Sequence, residues 1–241
     1  MNNVTPAEPP ERRSEKQAIF LKALPRMGIA IGVFAAALFL AAGRVDWPFA
    51  WVLLAMQSAI SAITFWSADP ELIRERMGAF KGKEGTKKWD VVLVALMAVA
   101  GPIATMVVAG FDVRFGWSEP MLALQAAAAL VMVPAILLVH WAMKTNRFFS
   151  AVIRIQKDRG HTVVTGGPYR FVRHPGYVGS IVYCLAMPVM LGSTWALIPG
   201  VAVVGIIVLR TALEDRTLRR ELPGYAEYAS HVRYRLLPGV W

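Results

Sequence analysis

His161-Thr-Val-Val-Thr-Gly-Gly-Pro-Tyr-Arg-Phe-Val-Arg-His-Pro-Gly-Tyr-Val-Gly179 is dense in Gly, Pro, Arg, His and Tyr, in a chain whose other long segments are oily. Pro168 and Pro175 forbid an uninterrupted helix, and Arg170, Arg173 and His174 forbid a membrane span. Yet the stretch runs straight into an apolar segment that starts near Tyr177. A polar, backbone-rich element held against apolar helices is the expected result, and it is the first place to look for chemistry.

Outward from this stretch the chain is apolar. Of its 241 residues, 56% are hydrophobic, and the mean hydropathy is +0.47. A soluble domain of this size needs no such surplus, so the surplus faces lipid. Six apolar segments are read at Met27–Gly43, Trp47–Trp66, Val91–Gly110, Pro120–Trp141, Tyr177–Leu191 and Thr194–Leu209. About 20 helical residues cross the hydrocarbon. The second to fourth segments meet that length, and the first does with slight extension. The last two are short and joined by a tight turn at Gly192-Ser193. They either extend past their oily parts or form a shallower hairpin. The expected fold is all-α and polytopic, with six transmembrane helices.

Charge placement orients this layout. Of the 26 Lys and Arg, only Arg44 and Arg114 lie outside the alternate pieces 1–26, 67–90, 142–176 and 210–241. That asymmetry predicts both termini in the cytoplasm. The net charge of +10 is then accounted for by cytoplasmic loops against anionic membrane lipids, and no nucleic-acid role is expected. Residues 1–26 read as a cytoplasmic arm without a cleavable signal, 27–143 as a four-helix membrane region, and 144–241 as a catalytic region containing the short hairpin. The loop 67–90 reads as solvated, with a short helix around Glu71, Arg74, Glu75 and Arg76 before a Gly-rich turn. Cys184 is the single cysteine, a packing residue inside an apolar run. His140 and His231 stand alone, without metal-ligand spacing, and no metal is expected.

Nothing breaks the helix after Leu209 before Pro223-Gly224, so the sixth span is expected to continue into the cytoplasm. Arg210 and Glu214 are then neighbours on one face, with Leu218 and Leu222 extending the row. Glu214 and Asp215 point about 100° apart, so only one faces a given pocket. The hairpin brings this helix and the 142–176 piece together. Their His, Tyr, Arg, carboxylate and exposed backbone suit a zwitterionic, cationic ligand.

Gly167-Pro-Tyr-Arg-x-Val-Arg-His-Pro-x-Tyr-x-Gly179, preceded by His161-Thr-Val-Val, resembles the signature of the isoprenylcysteine carboxyl methyltransferase family. Arg210-x-x-x-Glu214-Asp215-x-x-Leu218, Gly224-Tyr-x-x-Tyr228 and Arg235-x-x-Pro-Gly239 fit it as well. The resemblance covers about 145–241. It implies S-adenosylmethionine as methyl donor in a cytoplasmic pocket capped by the C-terminal segment. It places His161, Thr162, Val163, Val164, Tyr169, His174, Pro175, Gly176, Tyr177 and Glu214 around the cofactor. It turns Arg210 toward the methyl acceptor, a small lipophilic or lipid-attached molecule arriving from the bilayer. An Arg suits a carboxylate or thiolate acceptor, which needs an orienting cation and no base. An amine acceptor would instead need Glu214 or Asp215 to take a proton. One departure is Asp215, where the family usually has a second Glu. The location implied is a bacterial inner membrane. The alternatives are a phospholipid N-methyltransferase, an NADPH-dependent sterol-reductase-like enzyme and a non-catalytic membrane binding protein.

Overall fold

Residues 10–67, 69–78 and 84–241 are described in a computed structural model. Residues 1–9 of the expected arm and 79–83 of the expected Gly-rich turn lie outside them. The helices are α1 (Pro10–Ala42), α2 (Pro48–Ser67), α3 (Pro70–Met77), α4 (Lys88–Phe115), α5 (Leu122–Thr145), α6 (Pro175–Met190), α7 (Leu197–Glu221) and α8 (Tyr225–His231). Two 3-10 turns, Lys157–Arg159 and Gly167–Arg170, interrupt the polar stretch between α5 and α6.

Five helices (α1 from Gln17, α2, α4, α5 and α7) are long and apolar enough to cross a membrane. The chain is therefore an all-α polytopic membrane protein. The helix of α1 starts at Pro10, so residues 10–26 continue the first span. The hairpin is asymmetric. Its first helix, α6, has 16 residues and rises about 24 Å, less than the roughly 30 Å of hydrocarbon. Its second, α7, runs 25 residues unbroken past Arg210 to Glu221.

Local chemistry sets these bounds. Gly192 closes α6 at φ +79°, and Ser193 N–H returns to Pro188 O at 3.0 Å. Pro102 lacks an N–H and crowds the carbonyl one turn back. The helix α4 absorbs this with a π turn at Leu96–Ala100, where Gly101 N–H reaches Leu96 O. Asp69 caps α3 by accepting from Glu71 N–H at 2.8 Å, with Pro70 in the first turn.

Two cores follow. Leu38, Leu53, Met106, Met132, Met187 and Leu191 pack between the spans. Trp47 is buried among them. At that end the buried Asp112 carboxylate accepts from Ser118 N–H and Oγ–H, both at 2.7 Å, and from Ser193 Oγ–H. The second core, at the other end, gathers Tyr169, Leu222, Tyr225 and Tyr228. Small residues allow the close crossings. A Cβ at Gly179 would lie 2.5 Å from Ala135 O, so α5 and α6 touch backbone to side-chain position.

Gly179→Ala should therefore force these two helices apart and cost about 1–3 kcal/mol. Gly205→Ala, where a Cβ meets nothing within 4 Å, should be neutral or slightly stabilising. Thermal unfolding of both variants in detergent makes the comparison.

Candidate active site

A cavity of about 240 Å³ opens where the α5–α6 connection meets α3, α4 and α7. Every residue expected around the cofactor, and Arg210, reaches its wall. The helix argument for α7 holds. Arg210, Glu214, Leu218 and Leu222 all line the cavity.

Asp215 points elsewhere. It is 1% exposed and accepts from Arg173 Nε at 2.7 Å, Arg235 Nε at 3.0 Å, Arg219 Nε at 3.2 Å and Tyr225 Oη at 3.1 Å. Arg173 in turn holds the carbonyls of Val232 and Arg233, each at 2.7 Å. Arg173 N–H and His174 N–H bond to Tyr234 O and Arg235 O at 2.9 and 3.0 Å. The shorter second acid thus tethers the C-terminal tail against the start of α6. Glu214 faces the cavity, where its carboxylate accepts from Tyr177 Oη at 2.5 Å. No cation lies within ion-pair distance of it among the described residues.

Arg210 is 4% exposed and fully occupied on one side. Asp90 takes Nε at 2.6 Å and Nη2 at 2.9 Å, Ala151 O takes Nη2 at 2.8 Å, and Tyr177 Oη accepts from Nη1. Four of its roughly five donor hydrogens are spoken for. Asp90 also accepts Ile153 N–H at 2.6 Å.

The opposite wall is built from the polar stretch. Gln156 N–H donates to His161 Nδ1 at 3.3 Å. The proton of the neutral ring is then on Nε2, which is the donor available for a ligand. Burial, with Arg154 and Arg159 nearby, pushes the His161 pKa down to about 4. Burial raises the Tyr169, Tyr225 and Tyr228 phenols well above their usual value, so all three stay neutral. Tyr169 Oη donates to Ala142 O at 3.3 Å, and Tyr228 Oη to Tyr169 O at 2.6 Å. Gly176 is where Phe149 crosses, since a Cβ there would sit 2.8 Å from the Phe149 ring.

The loop 67–90 corrects an expectation. It is not merely solvated: Glu75 is 2% and Asp90 0% exposed. Glu75 takes Arg154 Nε at 2.7 Å and Nη2 at 3.0 Å, which clamps α3 to the polar stretch. Asp90 stands at the mouth of an apolar run, and an acid in a first helical turn is ordinary; no local pattern marks it as the partner of Arg210. Arg76 was equally hidden.

Fold and cavity together define a polytopic helical membrane protein with a polar pocket at one end of its bundle and apolar span residues on part of its wall. The model of the isoprenylcysteine carboxyl methyltransferase family matches residues 127–220, so the region carrying the pocket is isoprenylcysteine carboxyl methyltransferase-like. A probable protein-S-isoprenylcysteine O-methyltransferase of Oryza sativa is 32% identical over 36% of this chain and 47% of its own length. A protein-S-isoprenylcysteine O-methyltransferase of Schizosaccharomyces pombe is 33% identical over 21% of this chain and 22% of its own. A cobalt-zinc-cadmium resistance protein, CzcN, of Cupriavidus metallidurans is 39% identical over 31% and 35%. The chain spans about half the length, or less, of the curated relatives it matches.

Two outcomes are expected. Asp90→Ala strands the Arg210 guanidinium and should cost about 3–5 kcal/mol, whereas Asp90→Leu with Arg210→Met should recover most of that loss in equilibrium unfolding. Because the unfolded His161 takes a proton near 6.5 and the folded one only near 4, its contribution is complete above about pH 6.5 and is lost as pH falls toward 4. His161→Gln should show a shallower fall of the unfolding midpoint across that window.

Proposed function

We propose that this chain is an integral membrane methyltransferase that uses S-adenosylmethionine and methylates a carboxylate or thiol on a lipophilic or lipid-attached acceptor, of which a prenylated cysteine is one example. The observation that carries this reading is the single cavity shared by Glu214, which has no cationic partner among the described residues, and by apolar residues of the spans such as Val94, Met97 and Val139. The region 144–241 supplies most of its polar wall, and the Lys- and Arg-rich end of the bundle is assigned to the cytoplasm.

The residues fit the cofactor. A carboxylate meets an ammonium at Glu214, a neutral His161 offers Nε2–H to a carboxylate, and phenol and phenyl rings cover a base or a sulfonium. The cofactor, when bound, supplies an electrophilic methyl on a sulfonium. Tyr177 fixes Glu214 and is itself fixed by Arg210, so the two acid–base partners hold position rather than move protons. A carboxylate acceptor has no proton to lose. Transfer to it forms a C–O bond, breaks a C–S bond and cancels one positive charge against one negative. A dry apolar wall favours such a charge-cancelling step over its hydrated ground state, and alignment provides the rest.

Calorimetry on the purified protein in detergent tests the assignment. S-adenosylmethionine should bind, and Glu214→Ala should weaken it about 10–100-fold, the loss of one charged hydrogen bond. Arg210→Lys, which loosens Tyr177 and through it Glu214, should weaken that affinity by less than Glu214→Ala does, and methyl transfer should fall with it. Binding of NADPH in place of S-adenosylmethionine would overturn the proposal.

A further inference from the structure

The charges around the cavity are paired with two exceptions. Arg154 faces Glu75 at 2.7 Å, Arg173 faces Asp215 at 2.7 Å, and Arg210 faces Asp90 at 2.6 Å. Glu214 is the first exception. Arg76 is the second: it lines the cavity, yet its only acceptor among the described residues is Phe149 O, 3.3 Å from Nη1, and its guanidinium lies 5.7 Å from the Phe149 ring. No carboxylate is within ion-pair distance of it among the described residues.

Arg76 is held in that position. Its helix α3 is capped by Asp69, buries Leu72 and Ile73 against Ile19 and Met143, and is clamped by the Glu75–Arg154 pair one residue away. Burial and the charge of Arg210 push its guanidinium down from its usual pKa, so an incoming anion relieves an unfavourable isolated charge. Roughly four of its five donor hydrogens have no acceptor among the described residues, in the fork that matches a carboxylate. Arg210, with its charge already answered by Asp90, cannot offer the same.

We propose that Arg76 is the specificity-determining cation of the site, pairing with the carboxylate of the lipophilic acceptor while Arg210 positions Tyr177 and Glu214. The assignment rests on the methyltransferase reading above. A carboxylate held by the fork keeps a second lone pair on each oxygen for the incoming methyl. The ester formed carries no charge, so Arg76 no longer holds it and the product leaves.

The test compares binding of N-acetyl-S-farnesylcysteine and its methyl ester to the protein in detergent, with and without S-adenosylmethionine. The wild-type protein should prefer the acid about tenfold or more, the difference one charge-assisted pair makes. Arg76→Gln should bring the preference to about one through loss of the acid alone, and Arg76→Lys should restore part of it. A merely structural role for Arg76 would weaken acid and ester together and overturn the assignment. So would an unchanged preference, or a loss of S-adenosylmethionine affinity with the preference intact, which would give the guanidinium to the cofactor's carboxylate. Failure of the wild-type protein to bind either farnesyl compound while it still binds S-adenosylmethionine would overturn the assignment alone, whereas failure to bind S-adenosylmethionine would remove the functional reading itself.

Discussion

The site depends on one buried ion pair, Arg210 with Asp90. The two residues sit on different membrane helices, 4% and 0% exposed, at the polar end of the bundle. Neither is tolerable there alone, because an unpaired charge at such depth costs several kcal/mol. Together they fix three things. Asp90 takes Ile153 N–H and Arg210 takes Ala151 O, so the polar stretch is pinned to the spans at two backbone points. Arg210 also donates to Tyr177, which orients Glu214. Rotation of α7 by one residue would break every bond that Arg210 makes at once.

A second hub, one residue beyond Glu214, separates structural from ligand-facing acid. The helix turns about 100° between adjacent residues, so Asp215 looks away from the cavity into a cage of Arg173, Arg219, Arg235 and Tyr225. A shorter acid suits that place, where three guanidinium groups close in and the tail must lie flat against His174. Leu222, Tyr225 and Tyr228 then form a small apolar floor beneath the pocket, distinct from the core between the spans. The short α6 matters here too. Its 16 residues start at Pro175, so His174 at its cap and Tyr177 in its first turn stand at the level of the cavity.

Much of this was legible in the residues. Apolar runs and the missing breaker between Leu209 and Pro223 gave the helices and the extended α7. The spacing of Arg210, Glu214, Leu218 and Leu222 gave one face, and Gly192-Ser193 gave the turn. These are local properties: hydrophobic period, backbone freedom and missing N–H groups act within a few residues, and a chain displays them in order. The motif in 161–179, with its Pro and Gly, marked the polar wall for the same reason.

What the sequence by itself determined is therefore a helical membrane bundle with a polar stretch facing one extended helix, and the two faces that meet there. The tertiary structure alone decided which charges remain available. Asp90 and Glu75 read as ordinary acids of a solvated loop, yet each is buried against an arginine 120 and 79 residues away in the chain. Their pairing neutralises Arg210 and Arg154 and leaves Glu214 and Arg76 facing the cavity. Electrostatic pairing across such distances depends on which surfaces pack together and how far water is excluded, and neither quantity is carried by the spacing of residues along a chain.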